Sequence, residues 1–531
     1  MTSPASSIIR CEDGTEIPFQ WAYPGAAEFE WVRDRAHWPL PYAPMDLSLR
    51  GDFVAGADRA WEEAGLEPPA YFYRFQNAGP FHYVRMSPYE PERMAGIVPG
   101  YHEVARRHGN ILGFWQQYCQ PRIQGACNDL SGMAADASLR SAAQTWGYGF
   151  HQTFTSAALL GEANMRLTAL LAESVGDDAT LLAYEVTQGG ENASQAIDGE
   201  IWELAALARR TPAAARLLAS SAQGDALQAL HEEPGAAAFV KTFDMFVERH
   251  GSRSQGWNIG LQTWRERPEA PLALVRAQLE STGVSPAEMT ARSAARRREA
   301  TDEALARLPE ARHAELARIV TELDGYVSVR EGRAYWQMIL TGEIRGVLLR
   351  RGAELVRSGR IDRADDVLFL VADDFEGVGA SDLRGLVAER RHEWERWCQL
   401  APPPMIGTPG AMAAAAAATA AATAPDELRG APASRGEVTG PARILHGPEE
   451  GARLRPGDVL VCVMTTPTWT PLFSIAAGII TETGGALSHP AITAREYGIP
   501  AVVAVQGATS RIRDGQVVTI HGTTGIVSLH G

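Results

Sequence analysis

One histidine of the thirteen in the 531-residue chain stands in a stretch with the parts for group transfer. The stretch runs Thr481-Glu482-Thr483-Gly484-Gly485-Ala486-Leu487-Ser488-His489-Pro490-Ala491-Ile492-Thr493-Ala494-Arg495-Glu496. The strand-like run Gly478-Ile479-Ile480-Thr481 leads into two glycines, and a helical pattern then opens at His489. Pro490 suits the first helical turn, where its missing N–H costs nothing. A histidine here lies beside unpaired backbone N–H groups and the positive end of the helix dipole. Those groups stabilise an anion carried on the imidazole. Gly484 and Gly485 let backbone approach without a Cβ in the way. Thr483 and Ser488 offer hydroxyls to phosphoryl oxygens, and Arg495, about two turns on, offers charge. The residues therefore suit a phosphoryl group held covalently on His489; the plainer alternative is a half-buried histidine at a helix start.

A second set carries weaker signals. Arg330 could clamp phosphate and Glu331 could take a proton from a hydroxyl, since phosphoryl transfer needs positioning and charge neutralisation. Arg253 and Arg345 fit the same charge role, and ordinary salt bridges fit all of them equally well. In Trp31-Val32-Arg33-Asp34-Arg35-Ala36-His37-Trp38, the residues Trp31, Arg33, His37 and Trp38 could line an apolar pocket with a polar rim; core aromatics are the plainer reading. The five cysteines are scattered with no CxxC pair, which disfavours a zinc site or disulfide framework. No metal site is expected. Lys241 is the only lysine, so no phosphate-cradling lysine is available elsewhere.

These residues need elements to hold them. The length suggests roughly three domains. Residues 1–98 are rich in aromatics and proline, and 71–86 read as a β-hairpin about Asn77-Ala78-Gly79-Pro80. Residues 99–400 carry helical periodicity, notably in 138–175, 193–222, 285–322 and 325–358. Residues 401–436 bracket an Ala/Thr tract with Pro and Gly and read as a flexible linker. Residues 437–531 alternate short β-branched runs with two helices, near 470–477 and 489–498, as a compact α/β domain expected to be the histidine-bearing one. The expected fold is a mostly helical substrate domain, of which 1–98 form part, followed by this α/β domain. The net charge of −15 argues against nucleic-acid or anionic-membrane partners. No apolar run of membrane length and no signal-like start appears, so a cytoplasmic protein is expected.

Residues 465–505 closely resemble the swivelling phosphohistidine domain of the phosphoenolpyruvate-utilising enzymes, and the resemblance extends over 440–530. It implies that His489 is the phosphate acceptor and that Thr483, Gly484, Gly485 and Ser488 belong to its phosphate-supporting loop. Pro490 stands where the family usually has Ala or Gly. Residues 140–400 resemble, more moderately, the substrate domain of rifampicin phosphotransferase-like proteins, through 188–210, 246–269, 329–352 and 359–375. There Gly251-Ser252-Arg253-Ser254 replaces the usual Gly-His-Arg-Gly, and Arg333 is nearest to a basic residue that usually follows Arg330-Glu331.

The same enzymes carry an ATP-grasp domain, and no such pattern is visible before residue 140. The resemblance thus implies a split phosphotransferase, similar in arrangement to the phosphohistidine subunit of phenylphosphate synthase. ATP and Mg2+ would be held by a partner ATP-grasp protein, with none bound by this chain alone. The phosphoryl group would pass to a hydroxyl or carboxyl of a small organic substrate. Two alternatives stay open: phosphorylation as activation for dehydration or condensation in a biosynthetic pathway, and a non-catalytic phosphocarrier or regulatory binding protein. The intact Thr-Gly-Gly-Ala-Leu-Ser-His motif favours the enzymatic readings.

Overall fold

The computed structural model describes residues 6–35, 37–67, 75–85, 91–156, 160–176, 179–188, 193–220, 225–279, 285–375, 382–410, 426–485 and 488–530. Packing divides the chain into two compact units, one of 1–159, 254–262 and 336–415, the other of 160–253, 263–335 and 416–531. Both are stitched from separated segments, unlike the consecutive blocks expected from composition. The chain is mostly helical, with an α/β region at its C-terminal end.

In the first unit, β1 (Ser6–Arg10) and β2 (Glu16–Gln20) pair antiparallel. β3 (Glu30–Arg33), β4 (Phe75–Ala78), β5 (Phe81–Arg85) and β6 (Met405–Gly407) form an antiparallel sheet in the order β4-β5-β3-β6. The β4–β5 pair is the expected hairpin; residues 71–74 and 86 of the expected span lie outside the described residues. Phe19, Trp21, Trp31 and Phe81 fill the core beside this sheet. Helices Pro44–Ala64 and Leu139–Thr155 cross at glycines on both sides. A Cβ on Gly56 would lie 1.9 Å from the Gln144 carbonyl oxygen, and one on Gly147 would lie 1.9 Å from that of Phe53. Only glycine permits so close a backbone approach.

The second unit joins helices, among them Ala179–Glu185, Ala193–Arg210, Glu269–Leu279 and Pro286–Arg307, to an eight-stranded sheet. Its strands are β7 (Glu427–Arg429), β8 (Ala431–Ser434), β9 (Glu437–Ile444), β10 (Val459–Cys462), β11 (Gly478–Thr481), β12 (Ala501–Val503), β13 (Val517–His521) and β14 (Ile526–Leu529), in the order β7-β14-β13-β9-β10-β11-β12-β8. Strands β9 to β12 are parallel, and the flanking strands are antiparallel. Successive side chains alternate between faces. On β10, Val459 and Val461 join one core with Ile480, Val502 and Ile520. Leu460 and Cys462 join the other core, with Ile201, Phe243, Leu472 and Tyr497. Burial on both faces explains why β10, β11 and β12 read as continuous apolar runs.

The expected linker 401–436 differs at both ends. β6 pairs with β3 through Trp31↔Ile406 and Val32↔Met405, while β7 and β8 edge the large sheet. Leu428 and Ala433 supply the buried side chains that a free linker lacks. The alanine tract 411–425 lies outside the described residues. No described helix is long and apolar enough to cross a membrane.

Candidate active site

The site sits at the carboxyl ends of two adjacent parallel strands. β10 ends at Cys462 and runs on through Thr465 to a turn, Pro467–Trp469, and a short helix, Thr470–Phe473. β11 ends at Thr481 and runs through the glycine loop to helix His489–Tyr497. This edge of a parallel sheet is where open α/β folds bind ligands.

Ser488 stands at the N-cap position without a side-chain capping bond, Pro490 occupies the first turn, and His489 is the first helical residue. Thr465 Oγ1 lies 2.9 Å from Nδ1 of His489. Thr470 Oγ1 and Thr493 Oγ1 lie 3.2 and 3.3 Å from Nε2. The Phe473 ring stands edge-on to the imidazole at 5.9 Å. Thr470 donates its own hydroxyl proton to the Pro467 carbonyl, so its oxygen receives a proton from Nε2. Assigned from this network, the ring proton is on Nε2, and the Nδ1 lone pair accepts from Thr465.

Burial, and after it the charge of Arg330, push the His489 imidazole down to about 3. Both effects keep the ring neutral near pH 7, the state in which an imidazole nitrogen is a nucleophile. Arg330 is itself buried. The positive charge that discourages a proton on His489 also favours an anion beside the ring.

The glycine loop has the shape its sequence implies. Gly484 has φ +115, and a Cβ there would meet Ser488 Oγ at 2.7 Å. The Ser488 hydroxyl donates to the Gly485 carbonyl and that of Thr483 to the Val463 carbonyl, so both shape the loop from within. Arg495 takes a different place from the one expected beside the phosphoryl group. Six residues on, it points about 120° round the helix from His489. Its buried guanidinium donates to the Ala433 carbonyl at 2.9 Å and lies 4.4 Å over the Tyr184 ring. Burial pushes it down to about 10.

The remaining candidates are dispersed. Arg253 is 2% exposed, its Nε and Nη2 meet no hydrogen-bond partner among the described residues, and burial pushes it down to about 10. Its guanidinium lies 4.8 Å over Tyr335, one helical stretch on from Arg330. The side chain of Glu331 lies outside the described residues. Arg345 belongs to the first unit, where it donates to the Ile259 carbonyl at 2.7 Å, an anchor for that segment. Trp31 is fully buried with its indole N–H on the Ala26 carbonyl at 2.8 Å, a core residue and not a pocket wall. Arg33 lies 4.8 Å over Phe81. His37 and Trp38 meet in an aromatic corner with Trp257. No group of His, Cys, Asp and Glu able to hold a metal occurs among the described residues.

Sequence reasoning missed the three threonines around His489. Thr493 was legible in principle, because four residues on from His489 is the same helix face. Thr465 and Thr470 reach the ring only through the sheet, and nothing in the run Thr465-Thr466-Pro467-Thr468-Trp469-Thr470 singles them out.

This geometry defines a domain that presents a neutral, hydroxyl-caged histidine at a helix start, and known families match it. Residues 454–525 match the PEP-utilising enzyme, mobile domain, and residues 152–331 match the rifampicin phosphotransferase fourth domain. Both family resemblances seen in the sequence are borne out. Among curated relatives, a chondramide synthase of Chondromyces crocatus is 27% identical over 97% of this chain and 14% of its own length. A rifampicin phosphotransferase of Streptomyces sp is 32% identical over 69% of this chain and 42% of its own length. An uncharacterized phosphotransferase, YvkC, of Bacillus subtilis is 29% identical over 68% of this chain and 45% of its own length. The chain thus spans less than half of each of these relatives.

Proposed function

We propose that this chain is the phosphohistidine component of a phosphotransferase. The observation that carries the reading is His489: neutral, at a helix start, held by Thr465, Thr470 and Thr493 within a segment similar to the PEP-utilising mobile domain. In the first step an imidazole nitrogen attacks phosphorus, a P–N bond forms and the donor P–O bond breaks. In the second, an acceptor oxygen attacks, the P–N bond breaks, and its electron pair returns to the ring. Arg330 offsets the phosphoryl charge in both steps.

The donor in this reading is ATP, held with Mg2+ by an ATP-grasp partner protein, and the acceptor is a hydroxyl or carboxyl of a small organic molecule. The test is to incubate the chain with Mg2+, an ATP-grasp protein of this family and ATP labelled in its β-phosphate. Acid-labile, base-stable label on His489 supports the reading, and label elsewhere or none with an active partner contradicts it.

A second reading has its own support. The alignment to a synthase runs over 97% of this chain, further than those to the phosphotransferases. That favours a biosynthetic setting, in which the phosphoryl group activates an oxygen for elimination or condensation. Product analysis separates the two: a stable phosphate ester marks the first, free phosphate with a dehydrated or joined product the second.

A further inference from the structure

The first unit holds a second histidine with a built environment. The Nδ1 of His37 lies 3.1 and 2.9 Å from the two carboxylate oxygens of Asp34, and the His37 amide donates to Asp34 Oδ1 at 3.1 Å. Trp257 stacks on the imidazole at 3.7 Å and 11°, and its amide donates to the His37 carbonyl at 2.8 Å. The ring is therefore held by a charge at one edge and an indole on one face. Burial raises the Asp34 carboxyl, but the charge and hydrogen bonds of His37 outweigh it and hold the group below its usual range. An ionised carboxylate only accepts, so Nδ1 carries the ring proton and Nε2 the lone pair.

Nε2 meets no hydrogen-bond partner among the described residues. The Asp34 side chain is 11% exposed and that of His37 36%, so the anchor lies deeper than the ring it holds. Beside it, Trp38 is 8% exposed, and its indole N–H is buried without a partner among the described residues. The Trp38 ring lies 6.3 Å from that of His37 and 5.4 Å from that of Trp257. A lone-pair nitrogen fixed by a carboxylate suits a ligand hydroxyl, whose proton the base takes.

We infer that Asp34 and His37 form a general-base dyad within the first unit for the hydroxyl of a bound molecule, with His37 catalytic and Asp34 positioning it. Nε2 takes the hydroxyl proton as the oxygen bonds to an electrophilic carbon or phosphorus, whose bond to its leaving group breaks with the electron pair going to that group. Under the phosphotransfer reading the hydroxyl is the acceptor's; the chemistry of the dyad does not rest on that reading.

The test needs neither ATP nor the acceptor. The whole chain is assayed with p-nitrophenyl acetate, where the same base takes a proton from water, hydroxide adds to the ester carbonyl, and nitrophenolate leaves. Wild type should release nitrophenolate about tenfold or more faster than His37→Gln. Asp34→Asn should lower kcat with KM unchanged, and should remove the downfield Nδ1–H proton resonance seen in wild type. Unchanged cleavage in His37→Gln, or wild type no faster than that variant, overturns the dyad. Thermal unfolding of each variant separates loss of fold from loss of base. Failure of His489 labelling would overturn the phosphotransfer reading and leave the dyad standing, so the two fail separately.

Discussion

Thr465 Oγ1 and Nδ1 of His489 lie 2.9 Å apart, although 24 residues separate them in the chain. The pair bridges two adjacent parallel strands, because one follows β10 and the other follows β11. Thr465 is fully buried, so its hydroxyl has little freedom to turn elsewhere. Thr465→Val keeps the shape and removes the donor. The Nδ1 lone pair is then free, so loading of a phosphoryl group onto His489 should be no slower than in wild type, with the unfolding midpoint nearly unchanged. Thr470→Val removes the acceptor of the Nε2 proton and should slow loading by about tenfold or more; incorporation of label over time checks both.

The depressed acidity of His489 sets a pH dependence. With the group pushed down to about 3 by burial and by Arg330, the ring stays neutral from about pH 8 to 5. Loading should therefore stay flat over that range, where a histidine of ordinary pKa, about 6.5, would lose most of its neutral form. Arg330→Gln removes one of the two causes, so its loading should be slower and begin to fall at higher pH.

The same shift affects stability. Between about pH 6.5 and 3 the unfolded chain protonates this histidine and the folded one does not. The stability that His489 contributes is complete above about 6.5 and declines as pH falls towards 3. His489→Gln should flatten that decline in urea unfolding measured at a series of pH values.

Tyr497, the last residue of the histidine helix, donates its hydroxyl to the buried carboxyl of Asp198. Burial raises Asp198 from the usual 3.8 to about 7, partly offset by that bond. Raised in the folded state, the group contributes stability that is full below about pH 4 and is lost as pH rises through about 7. Asp198→Asn should remove this dependence. Tyr497→Phe leaves a buried carboxyl without its donor and should cost about 1–3 kcal/mol in denaturant unfolding.

Gly484 holds φ +115 at the turn of the loop, with Ser488 Oγ where a Cβ would fall. Gly484→Ala should displace Ser488, the residue that precedes the helix, and with it the helix start. Loading of His489 is expected to drop sharply while the sheet, and hence most of the thermal stability, persists. Labelling and circular dichroism on the same sample check both halves.

Much of this was legible in the chain. The runs around Val459–Cys462, Gly478–Thr481 and Val517–His521 announce their strands by β-branched content, and the glycine-histidine loop announces the helix start. What the sequence hid depends on tertiary pairing. β7 and β8 lie in a stretch whose Pro, Gly and Ala content reads as linker, and they become strands only because β14 and β12 offer edges. Arg495 reads as a phosphate ligand until its angular place on the helix is known. Asp34 and His37 are three residues apart, yet their relation to Trp257 depends on a segment more than two hundred residues away.

The most direct measurement is the mass and site of phosphorylation of the intact chain after incubation with ATP, Mg2+ and an active ATP-grasp partner, quenched in base. One phosphoryl group is expected, on His489, stable in base, lost in acid and absent from His489→Ala. A phosphoryl group on any other residue, or acceptor turnover by His489→Ala at the wild-type rate, would contradict it.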